Sequence, residues 1–119
     1  MPDTQKKLYK KLLGNKGEKA VEKYLKKRGC KILQRNFRTP FGEADLIIED
    51  GGEIAFVEVK TRTSDSYGSP AEAVGKEKQS RYYRIAQFYW LQEKEEPNAR
   101  FDVAEVFADG KIEYTKNAF

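Results

Sequence analysis

The most constraining feature of the sequence is the segment Ile54–Thr61, which reads IAFVEVKT and is apolar on both alternating faces apart from two charged residues. A β-strand that is apolar on both faces fits the interior of a sheet covered by helices on each side. The segment therefore predicts an α/β architecture. Its two charged residues, Glu58 and Lys60, are two positions apart and so share one face of the strand.

The other predicted elements surround this strand in the order α-β-β-β-α-β-β. Asn15 as a cap and Gly29 as a stop predict a first helix between them. Ser69-Pro70 is a helix-start signature, and it predicts a second helix that runs to about residue 94 with an interruption near Gly75. The strands are expected at 30–37, 44–49, 54–61, 101–107 and 111–115. The expected fold is restriction-endonuclease-like in outline, a central mixed five-stranded sheet flanked by helices.

Length and composition limit the classes of protein that the chain can belong to. Its 119 residues are expected to form one domain over residues 1–119, with 1–13 as a basic N-terminal helix or tail. No apolar run approaches the roughly 20 residues that cross a bilayer, and the start lacks a signal-peptide core, so no membrane partner is expected. Cys30 is the single cysteine, which excludes an internal disulfide and favours a cytoplasmic location.

The charged residues point to the class of partner. The net charge is +4, which favours polyanions such as nucleic acid. Four basic residues are candidate phosphate contacts, with a solvated surface as the alternative: Arg62, Lys76, Lys78 and Arg81. There is no histidine, so zinc sites and Cys–His nucleophile pairs are excluded within one chain. Hydrolytic chemistry would have to use carboxylates, lysine, hydroxyls or a hard metal ion.

The hairpin of the second and third predicted strands brings four charged side chains together, those of Glu43, Asp45, Glu58 and Lys60. If Gly51-Gly52 forms a two-residue loop, Asp45 faces Glu58 and Glu43 faces Lys60. Directly opposed side chains lie on one face, roughly 5 Å apart. A three-residue loop would move Asp45 to the other face. The preferred register brings three carboxylates and one ammonium together beyond the apolar part of the strand pair.

Carboxylates crowded on a buried strand repel each other and lose hydration, and a divalent cation relieves both penalties. Oxygen-only ligands suit Mg²⁺ or Mn²⁺, and a lysine on the same face can position water or stabilise charge on a phosphate. This set is sufficient for phosphodiester hydrolysis. The alternative is an ordinary ion-paired strand end. Glu43 fits a metal ligand or the ion-pair partner of Lys60 equally, and Glu18 fits a site residue or an acid that favours the helix dipole.

The spacing of Asp45 and Glu58-Val59-Lys60 resembles the PD-(D/E)xK signature of restriction-endonuclease-like nucleases, without the proline before the aspartate. From about Gly14 to Val106 the chain resembles the YraN-type family of small bacterial endonuclease-like proteins, which itself resembles archaeal Holliday-junction resolvases. The segments that carry the resemblance are Gly17-Glu18, Asn36-Phe37-Arg38, Gly42-Glu43-Ala44-Asp45-Leu46-Ile47, Phe56-Val57-Glu58-Val59-Lys60-Thr61-Arg62 and Arg100-Phe101-Asp102-Val103.

The resemblance implies roles for individual residues. It implies Asp45 and Glu58 as metal ligands, Lys60 as the catalytic lysine and Glu18 as the acid that resolvase-like members carry on the first helix. It implies a Mg²⁺- or Mn²⁺-dependent endonuclease that acts on DNA rather than RNA, with branched or otherwise structured DNA as a candidate substrate. A homodimer would supply two sites for two strands. The alternatives are a nucleic-acid-binding module with little or no catalysis, and an adaptor that binds a protein through the aromatic second helix.

Overall fold

The computed structural model describes residues 16–62, 74–93 and 99–119. Three sequence predictions lie outside the described residues: the Asn15 cap, the Ser69-Pro70 helix start and the basic segment 1–13. The helix that the second signature introduces is present from Lys76 onward, directly after Gly75.

Over the described residues, five strands form one mixed sheet and two helices pack on it, which confirms the predicted class and element order. The sheet order is β1-β2-β3-β4-β5. Strands β3 and β4 are parallel and the other neighbouring pairs are antiparallel. The described part of helix α1 is 16–27, and the other elements are β1 (Lys31–Thr39), β2 (Gly42–Asp50), β3 (Glu53–Arg62), α2 (Lys76–Glu93), β4 (Ala99–Phe107) and β5 (Ile112–Thr115).

Helix α1 ends where the glycine signal predicts. The amide of Cys30 donates to the carbonyl of Leu25 at 3.0 Å, and the amide of Gly29 donates to that of Lys26 at 3.1 Å. Gly29 has a φ of 84°, in the left-handed region that this C-terminal motif requires. The chain then turns directly into β1.

The register of the β2–β3 hairpin matches the sequence prediction. Asp50 pairs with Glu53 and Ile47 pairs with Phe56, so the loop consists of Gly51-Gly52. Both glycines have positive φ, 59° and 88°, as a tight hairpin turn requires. The backbone pairs of this hairpin extend as far as Leu46 and Val57.

The two faces of the sheet carry two hydrophobic cores, one beneath each helix. Alternating residues of β3 divide between them, because Val57 belongs to the core of α1 and Phe56 to the core of α2. The buried members of the first core are Val21, Leu25, Leu46, Ile48, Ala55, Val57, Ala104 and Val106. The buried members of the second are Ala44, Ile47, Phe56, Tyr82, Ile85, Ala86 and Tyr89.

The alternation of β2 breaks at Asp45. Ala44 packs in the core of α2 and Leu46 in the core of α1, although residues two apart on a regular strand share a face. On the neighbouring strand, Asn36 has a φ of 50°, which is uncommon for a residue other than glycine. Asn36 and Asp45 lie between the paired positions on either side. The local break leaves Asp45 at the margin of both faces of the sheet.

Candidate active site

Asp45 is the carboxylate around which the candidate site is arranged. Its Oδ2 atom accepts a hydrogen bond of 2.8 Å from the amide of Val59. Burial, then the negative charge of Glu58, raise the pKa of Asp45 to about 7, although the Val59 amide acts in the opposite direction. Glu18 raises this pKa further and Lys78 lowers it. An aspartate that is costly to ionise at neutral pH is typical of a functional site.

Helix α1 brings Glu18 to the same place. Burial raises the pKa of Glu18, and the charges of Glu43 and Glu58 add to the rise, while a hydrogen bond with Asp45 lowers it. The preceding residue, Gly17, makes the close approach of the helix possible. A Cβ atom at this position would lie 3.2 Å from the Thr61 hydroxyl oxygen of β3, so the threonine side chain or the helix would have to shift slightly.

Glu58 is nearly fully buried, at 5% exposure, and both of its carboxylate oxygens have partners on α2. Lys78 donates to Oε1 and the Tyr82 hydroxyl donates to Oε2. Tyr82 is only 1% exposed, whereas the Lys78 side chain is 42% exposed. Burial, together with the charges of Glu58 and Asp45, raises the pKa of the Tyr82 phenol well above its usual range, so that it remains a neutral donor. Among the described residues, the ion-pair partner of Glu58 is one half-exposed ammonium, that of Lys78.

Two clefts open beside Asp45, one toward each helix. The cleft toward α2 has a volume of about 320 Å³ and is lined by Gly42, Glu43, Asp45, Glu58, Lys78, Arg81, Tyr82 and Ile85. The cleft toward α1 has a volume of about 360 Å³ and is lined by Glu18, Lys19, Glu22, Arg35, Asn36, Asp45 and Leu46. Because β2 changes faces at Asp45, this one carboxylate contributes to both.

Glu43 and Lys60 occupy different surroundings. Glu43 lines the cleft toward α2, and its ion pair is with Arg38 of β1 at 3.7 Å rather than with Lys60. Lys60 is half-buried on β3, in register with Glu105 of the parallel strand β4. Strand alternation places Lys60 on the face of Glu58, toward α2. Within the described residues Lys60 forms no ion pair, so its ammonium is not committed to a carboxylate there.

The other predicted phosphate contacts differ in how available their charges are. Arg81 is exposed on the wall of the α2 cleft, and Lys76 is exposed at the first residue of α2. Arg62 has a side chain that is only 16% exposed, and its Nε donates to Oε2 of Glu105 at 2.8 Å. Its charge is already balanced by a buried partner, which sequence reasoning did not identify.

The residues that sequence reasoning missed at the centre of the site are the partners of Glu58. The sequence predicts Lys78 as a phosphate contact, and it connects neither Lys78 nor Tyr82 with Glu58. The available signal was their spacing: Lys78 and Tyr82 are four residues apart and so share one face of α2. The aromatic residues proposed as a docking surface are largely used in the core, since Tyr82 and Tyr89 are buried there.

The donor chemistry of the site fits a hard divalent cation. Glu18, Asp45 and Glu58 come from three elements and are close enough to act on one another's charge, and all their donor atoms are oxygens. Among the residues that the structure describes, however, no three acidic, cysteine or histidine side chains stand as a ready-made ligand group. Both oxygens of Glu58 accept hydrogen bonds, one from Lys78 and one from Tyr82. The acids are in place, but one of them is held by an internal cation.

The mixed sheet and the helices packed on its two faces give the chain a restriction-endonuclease-like α/β fold. The chain belongs to the uncharacterised protein family UPF0102, whose model matches residues 17–106, and the resemblance to the YraN-type family is thereby confirmed. It is 47% identical over 107 residues to the UPF0102 protein of Thermodesulfovibrio yellowstonii, covering 90% of this chain and 95% of the relative. It is 49% identical over 113 residues to that of Alkaliphilus metalliredigens, covering 92% and 98%.

A solved structure of Pyrococcus furiosus SfsA in complex with Ca²⁺ aligns with 90% of this chain and 63% of its own, at 18% identity and a TM-score of 0.41. A similarity of this degree carries no argument about the site. Neither helix in the described ranges combines the length and apolar content that crossing a bilayer requires.

Proposed function

We propose that this protein is a Mg²⁺- or Mn²⁺-dependent nuclease that hydrolyses phosphodiester bonds, in DNA rather than RNA. The observation that carries the proposal is the electrostatic state of Asp45. Its pKa is raised by burial and by two neighbouring acids, and its side chain lines two clefts. A structural acid would be expected to gain a partner that stabilises its charge, whereas this one stands among carboxylates, which is the arrangement that a divalent cation relieves.

The roles of the acids follow from where they lie. Asp45 and Glu58 would hold the cation, Glu18 would complete the site from α1, and Glu43 at the rim is a further candidate ligand. When bound, Mg²⁺ or Mn²⁺ supplies Lewis-acid polarisation of the phosphoryl oxygen and activation of water. The cleft beside Asp45 is open enough to admit a phosphate.

The basic residues would orient the substrate and stabilise its charge. Lys60 follows Glu58 on the same face of β3 and is without an ion pair in the described structure, so its ammonium is available to a phosphate or to the attacking water. Arg81 lies on the cleft wall and Lys76 at the start of the same helix, where both could contact phosphates along the strand. Arg62 would act more weakly, because Glu105 holds it.

The test is cleavage of end-labelled branched, flap and linear DNA with Mn²⁺ by wild type and by Glu58→Gln. We expect the variant to lose at least about a hundredfold in rate, because a ligand and its charge are removed together. Glu53→Gln is the matched control, since Glu53 lies on the same strand but pairs with Arg100 at the other end of the hairpin. Its rate should equal that of wild type.

Full activity in Glu58→Gln would refute the assigned site. If wild type binds DNA in a salt-dependent manner and cleaves none of these substrates with either metal, the protein is a binding module on a nuclease fold. Titration of Mn²⁺ into wild type and into the Asp45→Asn/Glu58→Gln double variant separates loss of metal from loss of chemistry.

A further inference from the structure

The contact between Lys78 and Glu58 raises a question that the proposed nuclease function leaves open. A metal at Asp45 and Glu58 would bind an oxygen of Glu58 that already accepts a hydrogen bond from α2. Each carboxylate oxygen has two lone pairs, so a neutral hydroxyl can stay on a metal-bound oxygen, whereas an ammonium there would repel the divalent cation. The surroundings of the donors decide which of them can move.

Tyr82 is held in place on every side. It is 1% exposed, its ring packs in the core beneath α2, and it makes edge contacts with Phe101 and Phe119 at centroid distances of 6.5 and 5.7 Å. Removing its hydroxyl from Glu58 would require the core to repack. Tyr82 is therefore a fixed neutral donor that orients the carboxylate.

Lys78 has the opposite properties. Its side chain is 42% exposed, it lies in the first turn of α2, and Glu58 is its one ion-pair partner within the described residues. A lysine side chain is long and flexible, and its ammonium is readily hydrated. The ammonium lines the same cleft as Asp45 and Arg81, so water and phosphate can reach it without any change in the fold.

We propose, on the basis of the nuclease function proposed above, that Lys78 is an internal counter-ion which the divalent metal displaces from Glu58, and that the displaced ammonium then binds a phosphate of the nucleic-acid backbone. In the metal-free protein Lys78 balances the charge of the buried acid. Metal and ammonium compete for one oxygen of Glu58, because two cations cannot share it without strong repulsion. Binding of metal thereby provides a positive group on the cleft wall for the substrate.

The competition is tested by titrating Mn²⁺ calorimetrically into wild type, Lys78→Gln and Lys78→Arg. Loss of the competing charge should tighten Mn²⁺ binding by Lys78→Gln about fivefold or more, and Lys78→Arg should stay close to wild type. Arg84→Gln is the matched control, because it removes one positive charge from the same helix at a residue whose guanidinium lies over Phe41 instead. Thermal unfolding of each metal-free variant establishes that it is folded.

The second half of the proposal predicts a change in DNA binding that is separate from cleavage. With Ca²⁺ as a non-activating metal, the salt dependence of DNA binding should weaken by about one phosphate contact in Lys78→Gln, while without metal the two chains should have equal slopes. An unchanged slope with Ca²⁺ would overturn the assignment of a phosphate to Lys78.

The outcomes of the Mn²⁺ titration separate this inference from the proposed function. Tighter binding by Lys78→Gln, or binding by that variant alone, supports the competition. Equal or weaker binding overturns the competition and leaves the nuclease proposal standing. Absence of binding in every chain, including in the presence of DNA, overturns both.

Discussion

The pKa values of two aspartates on strand β2 are shifted in opposite directions by their surroundings. Asp50, at the hairpin end, accepts a hydrogen bond of 2.7 Å from Nη2 of Arg100 and lies 3.1 Å from the ammonium of Lys116. The hydrogen bonds from these two cations lower the pKa of Asp50. Asp45, further back along the same strand, has a pKa raised by burial and by Glu58. The same residue type on one strand is stabilised in its charged form at one end and destabilised at the other.

The hairpin end is built as a closed network. Arg100 is 4% exposed and contacts three acids, and Asp102, the most buried of them, also accepts hydrogen bonds from the Tyr114 hydroxyl and the Asn117 amide. The three acids that Arg100 contacts are Asp50, Glu53 and Asp102. Each carboxylate in this network forms an ion pair with the Arg100 guanidinium. Such an arrangement holds the C-terminal segment to the sheet and leaves nothing for a ligand.

Among the described residues, no buried arginine neutralises the acids at the other end of the hairpin. Lys78, which is half-exposed, forms an ion pair with Glu58 and lowers the pKa of Asp45, and the clefts beside these acids are open. The contrast indicates that a cluster of buried acids is structural where a buried cation neutralises it, and is a candidate site where the balancing charge would come from solution.

The largest expected effect is at the closed network. Arg100→Met should lower the free energy of unfolding by about 3–5 kcal/mol, because it leaves Asp102 charged and buried without its cation. Urea denaturation at pH 7 measures the change. Arg38→Met, which removes an exposed ion pair with Glu43, should leave the midpoint unchanged. Equal effects of the two substitutions would remove the distinction between a closed network and a surface pair.

The next effect in size has the opposite sign. Asp45→Asn should raise the free energy of unfolding by about 2 kcal/mol at pH 8, because ionised Asp45 is less stable in the folded protein than in the unfolded chain. Between pH 4 and pH 7 the Asp45 carboxyl keeps its proton in the folded protein but loses it in the unfolded chain. The stability of the wild type should therefore fall as pH rises from 4 toward 7. Asp45→Asn should lose this pH dependence.

Asp50→Asn is the matched comparison on the same strand. The pKa of Asp50 is lowered on folding, so its contribution is present above the unfolded pKa and is lost as pH falls through the folded one. This substitution should destabilise the protein at pH 7. Destabilisation by both asparagine substitutions at pH 8 would contradict the proposed difference between the two ends.

The smallest of the expected effects on stability concerns Tyr82, the neutral hydrogen-bond donor to Glu58. Tyr82→Phe should cost about 1–2 kcal/mol, because it removes one hydrogen bond from the buried Glu58 carboxylate without changing the core. Tyr83→Phe, at the exposed neighbouring position, should cost nothing measurable. If Tyr82→Phe were neutral, the orientation of Glu58 would depend on Lys78 alone.

The strands and the register near the β2–β3 hairpin turn could be predicted from local sequence patterns. The apolar run of β3, the two glycines of the hairpin turn and the Gly29 helix stop each act through neighbouring residues, and each is found where the sequence predicts it. Strand ends differed by at most two residues. The predicted backbone pair of Asp45 with Glu58 is not formed, because the pairs stop at Leu46 and Val57 and Asp45 accepts a hydrogen bond from the Val59 amide instead. The two carboxylates are nevertheless near enough for Glu58 to raise the pKa of Asp45.

The contacts that α2 and β4 make with β3 could not be predicted from local sequence patterns. Lys78 and Tyr82 reach Glu58, and Glu105 reaches Arg62, only because a helix and a parallel strand distant in the chain pack against β3. The Glu43–Lys60 pair that regular alternation allowed is not formed, since Glu43 turns to Arg38. Partners of this kind depend on how elements cross, and periodicity within an element does not contain that information.

The sequence by itself determined which residues could do chemistry: without histidine and with one cysteine, only carboxylates, lysines, hydroxyls and a hard metal ion remain, and the hairpin turn predicts that acids of β2 and β3 lie near each other. The tertiary structure decided their state. The change of face at Asp45, the close approach of α1 at Gly17 and the reach of Lys78 from α2 set burial and charge balance. These properties depend on every group that packs around a carboxylate, because the free energy of a buried charge is set by its whole surroundings and not by its neighbours in the chain.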